Sequence, residues 1–334
     1  MVKSTATRKQ LFGRIFKIIF VVSACIIILN VVDVDEFYEI LTNISVAFLG
    51  ITMFVSMADK IFMGFKWQYL LQAFTIQVPL SVPIIATIRS KVFQFLVPTT
   101  IGQDAYKVFY LNQSGADVSR TVSSIVAERL LGLFSSLAII SLLIYFPLNR
   151  FNVPYAGWSA AGGLIVFGLI TGLIYGMMRF SGYLNHLPFI GFLPDGWRRK
   201  FVRFAEIIAS AGHSHSKIWR FYFLSIIEKI AYGSAIYFSA RAVGIENIEY
   251  IYVISAAPFL ALLERLPVSI ASIGVKEGLV VLLLRPYGID PTVAISAALA
   301  LRTAEISMML LCMFLWLGRH DGKNYLDRIK QMQL

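Results

Sequence analysis

Hydrophobic residues along this chain fall in long, nearly charge-free blocks, at about 15–32, 44–65, 120–146, 158–178, 218–241 and 292–317. Each is near the ~20 residues that cross about 30 Å of hydrocarbon as a helix, so each predicts a membrane span. Two further apolar stretches are broken. Residues 81–113 lie among Pro79, Pro83, Pro98 and Gly102, and carry Arg89, Lys91, Asp104 and Lys107. Residues 250–285 are interrupted by Pro258, Pro267 and Gly274. Such stretches predict re-entrant helical hairpins, each entering and leaving the membrane on one side.

The order span, span, hairpin, span then occurs twice, at 14–146 and 158–317, in opposite orientations. That is the inverted-topology plan of many secondary transporters. A sequence echo accompanies it: Pro98, Gly102, Asp104, Lys107, Gly115, Asp117 and Glu128-Arg129 parallel Pro267, Gly274, Lys276-Glu277, Gly288, Asp290 and Arg302. The expected fold is all-α: a polytopic membrane helix bundle of about six spans plus two re-entrant hairpins, forming a single integral membrane domain over 1–334.

Composition agrees. The chain is 57% hydrophobic and 15% charged, with mean hydropathy +0.72, whereas soluble domains carry about 25% charged residues. The net charge of +11 matters through its placement. Basic residues concentrate in 1–17, in the loop 179–217 and in the tail 318–334, while Asp33, Asp35, Glu36, Glu39, Glu246 and Glu249 join the other ends of the spans. This positive-inside asymmetry places both termini, the basic loop and the tail on the cytoplasmic side of a plasma (inner) membrane. No basic face with aromatic platforms appears, which argues against nucleic acid. Cys25 and Cys312 sit inside apolar runs and define no disulfide framework. Val22-Ser23-Ala24-Cys25 resembles a lipoprotein cleavage box, but Ile26–Leu29 continue the apolar run, so the first block reads as a retained span.

Ionised residues near mid-bilayer cost about 2.5–3.5 kcal/mol each on insertion scales and need a partner or a role. The candidates are Arg89 and Lys91, Asp104 and Lys107, Glu128 and Arg129, Glu228 and Lys229, Glu264 and Arg265, Lys276 and Glu277, and Arg302 and Glu305. Neutralising pairs that hold helices together would explain any one of them; the whole set favours a functional groove. Gly102 and Gly274 each follow a proline-containing break and precede runs, 103–113 and 275–284, that read as half-helices. Free N–H groups at such starts suit a phosphate, with Lys107 and Lys276 as added charge and Asp104 and Glu277 as caps. The plainer alternative is that these prolines and glycines mark loops. Gly168, Gly172 and Gly176 repeat every fourth residue, and close packing inside the fold is favoured over packing between two copies. His213 and His215 lack companion ligands, so no metal site is expected. Neither a Walker A sequence nor GxSxG, HExxH or paired CxxC occurs, which predicts no catalytic residues and no cofactor.

The segments Pro98-Thr99-Thr100-Ile101-Gly102-Gln103-Asp104-Ala105-Tyr106-Lys107, Ala127-Glu128-Arg129-Leu130-Leu131-Gly132, Glu264-Arg265-Leu266-Pro267-Val268-Ser269 and Gly274-Val275-Lys276-Glu277-Gly278 resemble the lysylphosphatidylglycerol synthase transmembrane-region family. The likeness runs in register from about residue 14 to 318. It implies the membrane part that, in bifunctional aminoacyl-phosphatidylglycerol proteins, flips the modified lipid; stand-alone relatives are tied to transport of lipids, hopanoids or polyprenyl-linked glycans. Three departures stand out. No aminoacyl-transferase domain accompanies the segments, Lys107 and Lys276 stand where arginine is common, and Ala271 and Ser272 stand where Asn and Gly are common.

The expected function is therefore a flippase-like, non-enzymatic translocator of an anionic, phosphate-bearing lipid. Its expected site comprises Arg89, Gly102, Asp104, Lys107, Glu128, Arg129, Glu264, Arg265, Gly274, Lys276, Glu277, Arg302 and Glu305. The alternative is a non-catalytic subunit that presents lipid to a separate transferase in aminoacyl-lipid or glycolipid biosynthesis. Expected partners are a membrane lipid of phospholipid or polyprenyl-phosphate type, with a separate transferase and a second copy of the chain as the protein partners this reading admits.

Overall fold

The computed structural model describes residues 32–91, 93, 100–154, 156–179, 207, 215–264 and 272–317. The first apolar block, most of the basic loop 179–217, the tail 318–334 and Arg265 lie outside the described residues. Among the described residues every regular element is helical: α1 (Val34–Thr42), α2 (Val46–Ala73), α3 (Ser81–Ser90), α4 (Thr100–Gln113), α5 (Val118–Leu143), α6 (Tyr145–Arg150), α7 (Ala156–Arg179), α8 (His215–Ala242), α9 (Tyr250–Leu263), α10 (Val275–Leu284) and α11 (Pro291–Leu317), with a 3₁₀ turn at Arg285–Tyr287.

Among the described residues four helices are long and apolar enough to cross a membrane: α2, α5, α7 over Ala156–Gly176 and α11 over Pro291–Leu311. These carry four of the six expected spans. The fifth expected span, 218–241, is the 28-residue helix α8, but the Glu228–Lys229 pair and its serines and tyrosines leave it less apolar than those four. The sixth, 15–32, lies outside the described residues except for Val32. Helices α3 and α10 have 10 residues each and α4 and α9 have 14. At a rise of about 1.5 Å per residue they are roughly 15 and 21 Å long, short of a bilayer's hydrocarbon.

Several boundaries differ from expectation for identifiable reasons. The acidic stretch 33–43 is not a plain connection: Asp33 accepts from the Asp35 and Glu36 N–H groups and starts α1, as an aspartate N-cap does. Helix α2 does not end with the apolar block 44–65, after which the basic-aromatic pair Lys66 and Trp67 reads as a membrane interface. It runs on to Ala73, and both side chains are buried. The expected span 120–146 divides at Ile144, and the short helix α6, which contains Pro147, follows. Helix α4 begins at Thr100, so Gly102 lies within its first turn and does not precede it. Among the described residues, Gly168, Gly172 and Gly176 have no packing partner: a Cβ at any of them meets no heavy atom within 4 Å, and Leu164, Ile165 and Leu169 around them are exposed. The α7 glycine that does pack is Gly163, whose Cβ would overlap the Ser141 carbonyl.

Helices α2 and α8 form the centre and run antiparallel. The Ser45 N–H donates to the Ala242 carbonyl at 2.8 Å, Phe48 stacks on Phe238, Lys66 reaches Ser225 and Glu228, and Lys217 lies against the Gln72 carbonyl. Helix α3 packs on α2 as α9 packs on α8, while α5 meets α8 and α9 as α11 meets α2 and α3.

One constant shift in sequence carries Ser56, Asp59, Lys60, Ile61 and Gly64 of α2 onto Ser225, Glu228, Lys229, Ile230 and Gly233 of α8. The two glycines do the same work. A Cβ on Gly64 would overlap the Ile84 Cα of α3, and one on Gly233 would stand 3.0 Å from the Ile254 Cα of α9. The turns match as well. Thr75 (φ 60°) and Gly244 (φ 87°) close α2 and α8, with the Ile76 and Ile245 N–H groups returning to Leu71 and Ala240 carbonyls. Gly115 (φ 84°) and Gly288 (φ 68°) precede α5 and α11, where Asp117 and Asp290 accept from the first-turn N–H groups of Arg120 and Thr292. Two apolar clusters follow from this arrangement. Trp67, Leu70, Leu71, Leu111, Leu131 and Phe221 form one, and Ile236, Tyr252, Val253, Leu283, Leu284 and Leu301 the other. A belt of buried polar and charged side chains includes Ser56, Asp59, Lys66, Ser225, Glu228, Lys229, Lys276 and Glu277.

Candidate functional site

Helices α4 and α5 face each other through charges. Arg129 pairs with Asp104, and the Lys107 ammonium donates to both Glu128 carboxylate oxygens at 2.9 and 3.2 Å while lying 4.6 Å above the Trp67 ring. Spacing explains the double contact: Asp104 and Lys107 are three apart, one helical face, and meet the adjacent Glu128 and Arg129 across the interface.

Helices α10 and α11 repeat the arrangement. Arg302 Nε donates to Glu277 Oε1 at 2.7 Å, and Lys276 Nζ to Glu305 Oε2 at 2.7 Å. Arg302 and Glu305, again three apart, present one face to the neighbouring pair Lys276 and Glu277. Gly274 takes a φ of 82° that a side chain would resist, and starts α10. Its N–H donates to Glu277 Oε2 at 2.7 Å, so the Glu277 carboxylate is held at both oxygens. Glu277 caps α10 as expected; Asp104, sitting beyond the first turn of a helix that begins at Thr100, is held by Arg129.

The sequence-derived lysines thus stand with carboxylate partners, and the helix start at Gly274 is occupied by the protein's own carboxylate. Arg302 extends to the Ser272 carbonyl at 3.3 Å. Ser272 in turn donates to the Glu264 carbonyl at 3.2 Å, and the Glu264 carboxylate accepts from Tyr232 of α8. Arg89 lies 5.4 Å from the centre of the Tyr110 ring. Lys91, at the end of α3, forms no ion pair among the described residues, and the charges of Lys60, Lys107, Glu305 and Asp59 act on it. Arg265 lies outside the described residues.

Equivalent pairs differ in exposure. The Arg129 and Asp104 side chains are 46% and 27% exposed, against 14% and 3% for Arg302 and Glu277. The first half presents its pair to the surroundings. The second encloses it.

The α2–α8 crossing joins the candidate pair Glu228 and Lys229 to Asp59, Lys60 and Lys66, which sequence reading did not place in the charged set. Asp59 pairs with its neighbour Lys60, and Lys66 bridges to Glu228 and to the Ser225 hydroxyl at 3.0 Å, with Lys229 on the other Glu228 oxygen at 3.4 Å. The signal that identifies them is the recurrence of Ser-x-x-(Asp/Glu)-Lys-Ile-x-x-Gly at Ser56–Gly64 and Ser225–Gly233. Buried cations and carboxylates alternating in this way neutralise one another, and any ligand charge added to them must displace a partner or meet a group such as Lys91.

A family model described as the lysylphosphatidylglycerol synthase TM region matches residues 14–312. No curated protein matches the chain.

Proposed function

The chain belongs to the lysylphosphatidylglycerol synthase transmembrane-region family, and from that premise we propose that it binds the phosphate-bearing head group of a membrane lipid and moves it between leaflets, without covalent chemistry. In this reading residues 14–146 and 158–317 are inverted halves, α3–α4 and α9–α10 are re-entrant hairpins, and both termini face the cytoplasm across a plasma (inner) membrane. The recurring α2 and α8 motif, the matched turns and the antiparallel crossing support the inverted halves.

The observation that carries the proposal is the unequal exposure of Asp104–Arg129 and Glu277–Arg302. Two pairs at matching places in the chain, one open and one enclosed, fit one state of an alternating cycle, whose other state would exchange the two. A head-group phosphate meets Lys91 first and then competes with Glu128 and Glu305 for Lys107 and Lys276. An ammonium binds phosphate as a point charge, without an arginine's paired geometry, and this suits a group that must be released.

The test uses purified protein in phosphatidylcholine vesicles containing phosphatidylglycerol with a fluorescent tail, and reads quenching by an impermeant reductant. Leaflet exchange is expected with the native chain and is lost in Lys107→Ala plus Lys276→Ala. Exchange at the native rate in that variant removes the site assignment. Lipid that co-purifies and binds but never exchanges favours the lipid-presenting subunit instead.

A further inference from the structure

At the α2–α8 crossing the two equivalent carboxylates are not equally satisfied. Glu228 is held by Lys66 at one oxygen and Lys229 at the other. Asp59 is held by Lys60 at Oδ2, and its Oδ1, buried in a side chain 5% exposed, has no hydrogen-bond partner among the described residues. One helical turn earlier, the buried Ser56 hydroxyl also lacks one. A buried oxygen left unpaired costs free energy unless something visits it.

A carboxylate oxygen accepts; only a proton turns it into a donor. Lys60, the cation that neutralises Asp59, also lies in the field of Glu305 and Glu228. Glu305 is where the second half anchors Lys276. Charged groups also stand on α2 and on the described helices packed against it. Lys66 is on α2 itself, Glu228 and Lys229 on α8, Lys91 at the end of α3, Arg302 and Glu305 on α11, and Glu128, held by Lys107, on α5. Among the described residues, Asp59 is the carboxylate that combines burial with an unpartnered oxygen, and its cation Lys60 also lies in the field of Glu305.

We propose that Asp59 is a proton-binding site, and that its protonation releases Lys60 toward the Glu305–Lys276 pair of the opposite half. The proton comes from water and forms the carboxyl O–H, so the neutral Asp59–Lys60 pair becomes singly positive. The freed charge raises affinity for an anion beside Lys91 and Lys276, and by linkage a bound anion raises affinity for the proton. Proton and anionic head group then travel together. This last step rests on the head-group reading above; the proton site itself does not.

Infrared difference spectra of the purified protein in phosphatidylcholine vesicles, taken across an acid titration, read the site without any lipid movement. Above the bands of the chain's other carboxyls, a distinct high-frequency protonated-carboxyl band is expected in the native chain and in Glu305→Gln, absent in Asp59→Asn, and shifted in Asp59→Glu, which keeps a carboxyl should Asn disturb packing. No band in the native chain, or the same band in Asp59→Asn, overturns the proposal. The second arm repeats the fluorescent phosphatidylglycerol assay with and without an imposed pH gradient and with a pH-sensitive dye inside the vesicles. Gradient-accelerated exchange with proton entry, both lost in Asp59→Asn, is the expected result. Exchange that ignores the gradient overturns coupling and leaves the lipid reading standing, whereas a titrating Asp59 in a protein that moves no lipid overturns the lipid reading and keeps the proton site.

Discussion

Arg302 of α11 donates to Glu277 at 2.7 Å, and the same carboxylate accepts the N–H of Gly274, so one side chain closes both a helix start and a helix–helix contact. In the first half Arg129 meets Asp104 beyond the first turn of α4.

Removing Arg302 therefore leaves a buried carboxylate with a backbone donor but without its cation. Loss of one partner from a buried pair costs about 3–5 kcal/mol, and a largely exposed pair contributes about 0–1 kcal/mol. Arg302→Ala is expected to lower the thermal midpoint of the purified protein markedly, and Arg129→Ala only slightly. Equal midpoints for the two variants contradict the assigned burial.

The tight crossings at Gly64 and Gly233 make a second pair of unequal variants. Overpacking a close contact costs roughly 1–3 kcal/mol. Gly64→Ala sets its methyl against the Ile84 backbone and must push α3 away. Gly233→Ala meets Ile254 at 3.0 Å and needs only a small shift. Gly64→Ala is expected to be the more destabilising, Gly233→Ala intermediate and Gly168→Ala neutral, as read by thermal unfolding of each.

These glycines also mark where sequence reading succeeds and where it stops. Block lengths located α2, α5, α7 and α11 because hydrocarbon thickness sets helix length, and a proline or glycine beside charge located the short helices α3, α4 and α10. Membership of the charged set was legible too: Asp104, Lys107, Glu128, Arg129, Lys276, Glu277, Arg302 and Glu305 all stand in pairs between adjacent helices. Partner choice was not, because a lysine aimed at lipid phosphate and a lysine held by glutamate look the same in a chain. Lys66 and Trp67 show the same limit: a basic-aromatic pair reads as a membrane interface unless Glu228, far away in sequence, is known to face it. Asp59 and Lys60 sat inside a block classed by its apolar neighbours, and only their recurrence at Glu228 and Lys229 singles them out.

Lys66 itself supplies a third test. It lies 5.0 Å from the centre of the Phe221 ring, bonds Ser225 and pairs with Glu228. Lys66→Met keeps the apolar stem but removes the cation at one Glu228 oxygen, and is expected to destabilise by about 3–5 kcal/mol. Adding Glu228→Gln removes the stranded charge, so the double variant is expected to recover most of that loss in denaturant unfolding. A double variant as unstable as the single would mean that Lys66 acts mainly through Ser225 and packing.

The unequal exposure of the two equivalent pairs predicts unequal chemistry at single cysteines. With Cys25 and Cys312 replaced by serine, Asp104→Cys and Glu277→Cys place one thiol at matching points of the two halves. The native side chains are 27% and 3% exposed, so a water-soluble maleimide is expected to label position 104 several-fold faster than 277 in vesicles. If a head group enters beside the open pair, phosphatidylglycerol in the vesicle slows labelling at 104 and phosphatidylcholine alone does not. A cycling protein must also spend part of its time with the second pair open, so slow labelling at 277 rises when phosphatidylglycerol is present, opposite in sign to the change at 104. Labelling that shifts the same way at both positions indicates general loosening of the bundle and removes the alternating cycle.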